Sequence, residues 1–285
     1  MSGLGQDGSL RNRILALALT STDGTKQMTN QTGIGATKQS VLRTYLISSL
    51  TIVALVATVF VSPAQAEITP YPSMAPLSQY LIPDEQSEIA LARSAAPASI
   101  SDRAEVLVLG RDEYRTAVKG ANGFVCLVER SWGAATDFPE FWNPKIIAPI
   151  CVNPPAARTY LPGVLVKAKL ALAGKSRTQI AQAITSAYDR KELPALEPGA
   201  MCYMMSRQQY LSDDDRSWHP HMMWFVSGDA AKTWGANLPG SPALAANAPE
   251  DRMTIFLVWV GHWSDGTSVP QDVHAMSAPH TMHGE

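Results

Sequence analysis

EVLVLGRDEYRTAVKGANGFVCLVER, residues 105–130, is the stretch that decides the fold. Two runs rich in aliphatic and β-branched residues, Glu105–Leu109 and Phe124–Arg130, flank a third segment, Tyr114–Lys119. This composition is typical of strands in a sheet with one well-buried face. Asn122-Gly123 is a strong hairpin signal, so we predict that it joins the second and third of these strands as antiparallel neighbours.

Helical patterns lie on both sides of this stretch. Asp84 is a suitable capping residue for a short helix that extends to about Ala96. A helical pair is predicted after Pro162, because Gly174 suits the end of one helix and Ser176-Arg177-Thr178-Gln179 is a capping box that opens the next.

The carboxyl-terminal part predicts three more strands and a short helix. The strands are expected at Ala200–Arg207, His219–Val226 and Thr254–Val260, and the helix at Asp229–Trp234. Residues 264–285 are polar and contain histidines, so we expect a disordered tail.

Two proline-rich segments frame the predicted domain differently. Residues 67–83 have little periodicity and predict an extended lead-in. Residues 131–160 combine prolines with aromatic residues, which predicts an ordered loop packed on the sheet. Strands interleaved with a helical pair predict a single α+β domain, residues 84–263, with a largely antiparallel sheet.

The amino-terminal part has the order of a secretory signal. Lys38 and Arg43 precede the apolar run Leu46–Val61, and Ala64-Gln65-Ala66 follows it. A positive flank, a short apolar run and an Ala-x-Ala site are what export with cleavage requires.

A membrane anchor is the alternative interpretation of this segment. A spanning helix needs about 20 strongly apolar residues, whereas this run is shorter, contains hydroxyl residues and is stopped by Pro63. We therefore predict that residues 1–66 are an export leader, starting at Met1 or Met28. The exported protein would begin at Glu67, in the periplasm or outside the cell.

The charge of the part after the leader excludes several function classes. It contains 18 Lys and Arg against 23 Asp and Glu residues, and this mild acidity argues against a nucleic-acid partner. It has no Lys/Arg cluster and no further long apolar run, so we also expect no membrane embedding after cleavage.

Three cysteines lie in the exported part, where disulfides persist. Cys126 and Cys151 are nearest in sequence and are our candidate disulfide, which leaves Cys202 unpaired. Three buried thiols that act as small hydrophobic side chains are the alternative.

The segment 201–223 concentrates methionine, cysteine and histidine residues. On a strand, His219 and His221 would point to the same face and could share zinc, or copper(I) with sulfur neighbours. Cys202 and His262 are the candidate third ligands. Methionine-rich strands also fill cores, and histidines on an edge strand also simply meet water, so this alternative stays open.

A second group of polar residues follows the residue 124–130 strand. Glu129, Arg130 and Ser131, with Arg158 further along the chain, could hold a polar ligand, although solvated strand ends explain them equally well. The strong catalytic motifs are absent. We therefore expect a non-catalytic module that binds a small molecule or peptide in a groove edged by the 131–160 loop. The alternative is a metal-dependent enzyme or metal carrier that uses His219 and His221.

Five segments of the chain resemble those of an uncharacterised family of exported bacterial proteins with no assigned activity. The segments are NGFVCLVER (122–130), FWNPK (141–145), PPAAR (154–158), EPGAMCYMM (197–205) and WHPH (218–221). The likeness covers about residues 85–266. It implies bacterial origin and export, and it assigns no catalytic residue.

Overall fold

The computed structural model describes residues 70–214, 219–239, 241 and 243–269, which belong to one compact unit. The predicted leader, the first residues of the lead-in and the end of the predicted tail lie outside the described residues. In chain order the elements are α1 (Glu85–Arg93), α2 (Ala98–Ser101), β1 (Glu105–Leu109), β2 (Tyr114–Val118), β3 (Val125–Glu129), β4 (Ala148–Val152), α3 (Pro154–Thr159), α4 (Leu161–Leu172), α5 (Arg177–Asp189), β5 (Met201–Met204), β6 (His221–Ser227), β7 (Leu244–Ala248) and β8 (Met253–Trp259).

All eight described strands form one sheet in the order β2-β1-β3-β4-β5-β6-β8-β7. Every neighbouring pair is antiparallel except β1 and β3, which run parallel. The predicted α+β class with a largely antiparallel sheet is therefore confirmed.

The predicted hairpin between β2 and β3 is wrong. β2 pairs with β1, and β1 lies between β2 and β3. The tight turn is instead at Gly110, whose N–H donates to the Glu113 carbonyl at 2.8 Å. The chain then passes the start of β1 so closely that a Cβ on Gly120 would lie 2.2 Å from the Glu105 nitrogen. Gly123 does have a positive φ, +78°, as a turn residue would. The Asn122 side-chain amide, however, donates a hydrogen bond to the Ile100 carbonyl.

The two faces of the sheet are covered by different helices. α4 and α5 cover one face through a large apolar cluster, and α1 covers the other face at β1, β3 and β4. The helical pair is confirmed, including both hydrogen bonds of the capping box at Ser176. Asp84 caps α1 by accepting from the Ser87 N–H, also as predicted.

The segment 131–160 is ordered and packed, but it is more regular than predicted. It contains β4 and α3, which begin within its second half. Pro149 lies in β4 opposite Val128. Because proline has no N–H to donate, a sequence containing it is not expected to form a central strand. Trp132, Phe141 and Trp142 are buried in the core, so they do not edge a groove.

The carboxyl-terminal third also differs from the prediction at one edge of the sheet. The predicted helix at residues 229–234 is a series of turns, and β7 was not predicted. The Asn237 side chain donates to the Ala245 carbonyl at 2.7 Å and accepts from its N–H at 3.1 Å. These two bonds satisfy the outward-facing backbone groups of Ala245, the second residue of edge strand β7, so another chain cannot pair with the edge there.

The two ends of the described region are better packed than expected. Tyr80, in the lead-in, is buried and donates from its hydroxyl to the Trp142 carbonyl at 2.8 Å. At the other end the Trp263 N–H donates to the Thr267 carbonyl at 2.9 Å, so residues 264–269 form an ordered turn rather than a disordered tail. None of the described helices has the length and apolar character needed to cross a membrane.

Candidate functional site

A cleft of about 350 Å³ opens at the carboxyl end of β1. Its volume is in the range of small-ligand sites. Apolar side chains of the lead-in and β1 form its walls, and charged side chains of α1, the β1–β2 turn and β2 form its floor and mouth. The lining residues are Leu81, Ile82, Pro83, Glu85, Glu88, Val108, Leu109, Gly110, Arg111 and Arg115.

The floor of this cleft, which we call the Glu88 cleft, is a buried ion pair. Glu88 Oε1 accepts from Arg130 Nη2 at 2.9 Å and from the Leu109 N–H at 3.2 Å, and both charged side chains are almost fully buried. Arg130 also donates from Nε to the Tyr80 carbonyl at 2.6 Å and from Nη1 to the Val128 carbonyl. Such complete pairing is what keeps two buried charges tolerable.

Glu88 has one oxygen left for a ligand. Both hydrogen bonds that it receives from described residues end on Oε1, and the residue lines the cleft. Oε2 receives neither of these bonds, so it is the Glu88 oxygen that a ligand in the cleft would contact. Sequence reasoning missed Glu88, although a carboxylate four residues before buried Ala92 stands on the apolar stripe of α1.

The mouth of the cleft carries opposite charges. Arg115 pairs with Glu85, and both side chains are about half exposed. Arg111 is exposed and has no ion-pair partner among the described residues. The cleft thus presents one acceptor at its floor, apolar walls, and one guanidinium that is available to an anion at its mouth.

A second buried polar group lies inside the fold, at the end of β3. Glu129 Oε1 accepts from the Tyr160 hydroxyl at 3.1 Å, and the Tyr160 ring stacks on Phe225 with centroids 4.1 Å apart. The other Glu129 oxygen would lie 2.5 Å from a Cβ on Gly133, so any larger residue there would require the carboxylate to shift. Lys167, nearby on α4, is buried and pairs with Asp251.

Burial governs ionisation in this second group. It raises the pKa of Glu129 to about 7, although the Tyr160 hydroxyl and Lys167 act in the opposite direction. Burial also raises the pKa of Asp251 against the effect of Lys167, and raises the pKa of the Cys202 thiol. None of these residues lines the Glu88 cleft, so we treat the group as a titrating element of the core.

The structure places the predicted metal ligands only partly together. β6 begins at His221, so His219 precedes the strand, yet both imidazoles meet the Trp259 ring edge-on, with centroids 5.7 and 5.6 Å away. Cys202 is buried on β5, and His262 is exposed in the turn after β8. Among the described residues, no three His, Cys, Asp or Glu side chains form a group that could hold a metal ion.

The other candidate residues are dispersed. Arg158 does not join Glu129, Arg130 and Ser131, because its guanidinium makes a two-bond ion pair with partly exposed Glu197. Cys126 and Cys151 face each other across β3 and β4 and form a disulfide. Closing that loop stabilises the fold by about 3 kcal/mol in the chain-entropy model.

Comparisons of the chain with protein-family models, curated proteins and solved structures find no match in any of the three. Function must therefore be inferred from the chain's own residues.

Proposed function

We propose that this chain is an exported binding module that holds a small amphiphilic ligand in the Glu88 cleft. The ligand would carry a protonated amine or similar donor, an apolar body and a carboxylate. Amino acids and short peptides have this chemistry.

The observation that supports this proposal is the arrangement of charge in the cleft. A donor at the floor would bond to Glu88 Oε2, while a carboxylate at the mouth would meet Arg111. Between them, Leu81, Ile82 and Val108 supply apolar surface. Because Arg130 already fixes Glu88, its carboxylate is in place before the ligand arrives.

The lining of the cleft favours binding over catalysis. It contains no Ser, Thr or Cys that could act as a nucleophile, and no His or Lys that could act as a general base with a pKa near neutral pH. Its two carboxylates are each held by an arginine. A pre-organised but unreactive site is what a binding module needs.

Two features support export as part of the proposal. The order of a secretory signal precedes Glu67, and the Cys126–Cys151 disulfide suits an oxidising compartment. The resemblance to exported bacterial proteins agrees with both.

L-Leucine and three derivatives test the proposal, because they share one apolar side chain and differ in which of the two charged groups they carry. L-Leucine has both charges, L-leucinamide only the amine, N-acetyl-L-leucine only the carboxylate, and N-acetyl-L-leucinamide neither. We expect calorimetric titration to rank leucine first and the neutral compound last, with about tenfold in affinity between steps. Affinities weaker than about 1 mM for all four compounds would contradict the proposal.

Arg111→Ala tests which end of the ligand meets the mouth. The variant should lose the preference for leucine over leucinamide and keep the preference for leucine over N-acetyl-leucine. Arg103→Ala is the matched control, because Arg103 is an exposed arginine just before β1 that does not line the cleft. Equal effects of the two variants would place the carboxylate elsewhere. Glu88→Gln, checked for folding because it unpairs buried Arg130, should remove the preference for a free amine.

A further inference from the structure

Strands β5 and β6 carry four soft side chains on the same face of the sheet. Met204 pairs directly with His221, and Cys202 pairs directly with Met223. Because side chains two residues apart on a strand share a face, these residues stand at the corners of one square. Directly paired residues have Cβ atoms about 5 Å apart, and the two pairs are about 7 Å apart along the strands.

The square lies inside the large core rather than on a solvated edge. Cys202, Met204 and His221 are buried, and Met223 is half-buried beside half-buried Trp259. The interior is therefore sulfur-rich and largely shielded from water, and Met223 is its most exposed member.

His221 is held in the tautomer of a metal ligand. Its Nδ1 lies 2.9 Å from the His219 carbonyl oxygen. A carbonyl only accepts hydrogen bonds, so Nδ1 carries the proton and Nε2 carries the lone pair. Metal-binding histidines commonly have their second nitrogen fixed by a backbone carbonyl in this way.

We propose that His221, Met204 and Met223 form a binding site for copper(I), with Cys202 at the fourth corner. Thioether, thiol and imidazole donors together select a soft monovalent ion over zinc(II). If the Cys202 thiol binds, the ion replaces its proton, which leaves to solvent. The site is separate from the Glu88 cleft, so either proposal can fail without the other.

The decisive comparison uses methionines on opposite faces of the same two strands. Met204→Leu with Met223→Leu removes both proposed sulfur ligands, whereas Met201→Leu with Met222→Leu makes the same changes on the other face. Leucine nearly conserves volume, so both double variants should fold. Folding of each is checked by circular dichroism before titration.

Copper(I) is titrated anaerobically into the protein that begins at Glu67, in competition with a chromogenic chelator. We expect one ion per chain, an affinity loss of at least about tenfold for the Met204/Met223 variant, and no loss for the Met201/Met222 variant. X-ray absorption of the wild-type complex should show sulfur neighbours of the copper. Equal losses in the two variants, affinity weaker than about 100 μM in the wild type, or equally tight zinc(II) binding would overturn the proposal.

Discussion

Replacing Glu129 with Gln should make the protein more stable, and the gain should grow with pH. Burial raises the pKa of Glu129 from an ordinary value of 4.5 to about 7. Between these values the unfolded carboxyl has released its proton while the folded one keeps it. Unfolding therefore becomes easier as the pH rises through this window, because the folded state binds more protons.

The size of the effect follows from the shift. A displacement of about 2.5 pKa units corresponds to about 3 kcal/mol, which the wild type loses between about pH 4.5 and pH 7. Gln cannot ionise, yet its carbonyl still accepts from the Tyr160 hydroxyl. The variant therefore avoids the loss and should exceed the wild type by up to about 3 kcal/mol at about pH 8.

Urea unfolding at about pH 5 and about pH 8 measures this difference with the disulfide intact. Comparing the variant with the wild type at each pH cancels the titrating groups that do not interact with Glu129, including buried His221. Tyr160→Phe is a second arm. It removes a hydroxyl that lowers the pKa of Glu129, so the pH window should extend upward.

A difference between Glu129→Gln and wild type that does not change with pH would refute the reasoning. So would a variant that is less stable at the higher pH, because that result would mean that Glu129 is ionised in the fold and stabilised by Lys167.

Three other changes have specific expected outcomes. Gly123→Val should cost on the order of 1 kcal/mol or more, because φ is +78° and an added Cβ meets Pro154 at 3.1 Å; an unchanged melting temperature would contradict this. Asn237→Gly keeps the φ of +62° accessible but removes the side chain that covers the edge of β7. Light scattering should therefore detect more association of the variant than of the wild type. Equal scattering would mean that another feature protects the edge. Amino-terminal sequencing of the exported protein should begin at Glu67, and recovery of intact residues 46–66 in a membrane fraction would favour an anchor.

Local signals predicted α1, α4 and α5, because the causes of these three helices are local, whereas the helix expected at residues 229–234 is a series of turns. The capping residue Asp84 and the capping box at Ser176 satisfy free N–H groups within the same turn, so the sequence contains both partners of each bond. Six of the eight described strands were also located, since their composition reports burial on the sheet, whereas β4 and β7 were not.

Strand order depends on contacts that the sequence does not display. Asn122-Gly123 has the composition of a hairpin, but Gly120 allows the chain to pass the start of β1 and place β3 on its far side. The sequence pattern is compatible with either arrangement, a β2–β3 hairpin or β1 between β2 and β3. Only packing of the whole sheet decides between them.

The candidate site was predicted in part for the same reason. Arg130 was recognised as a polar group at a strand end, but its partner Glu88 lies 42 residues earlier on another element. Arg158 was grouped with it as a second cation for a polar ligand, yet it pairs with Glu197 at the surface. Long-range ion pairs form between elements and leave little trace in either local sequence.

Backbone amide chemical shifts of nitrogen-15-labelled protein during an L-leucine titration test the central claim most directly. The Leu109 N–H donates to Glu88 Oε1, so it reports any ligand that reaches the floor of the cleft. We predict saturable shifts at Leu109, Gly110 and Arg111, and much smaller ones with N-acetyl-L-leucinamide. Saturable shifts confined to another part of the surface, or none at these three amides, would contradict binding in the Glu88 cleft.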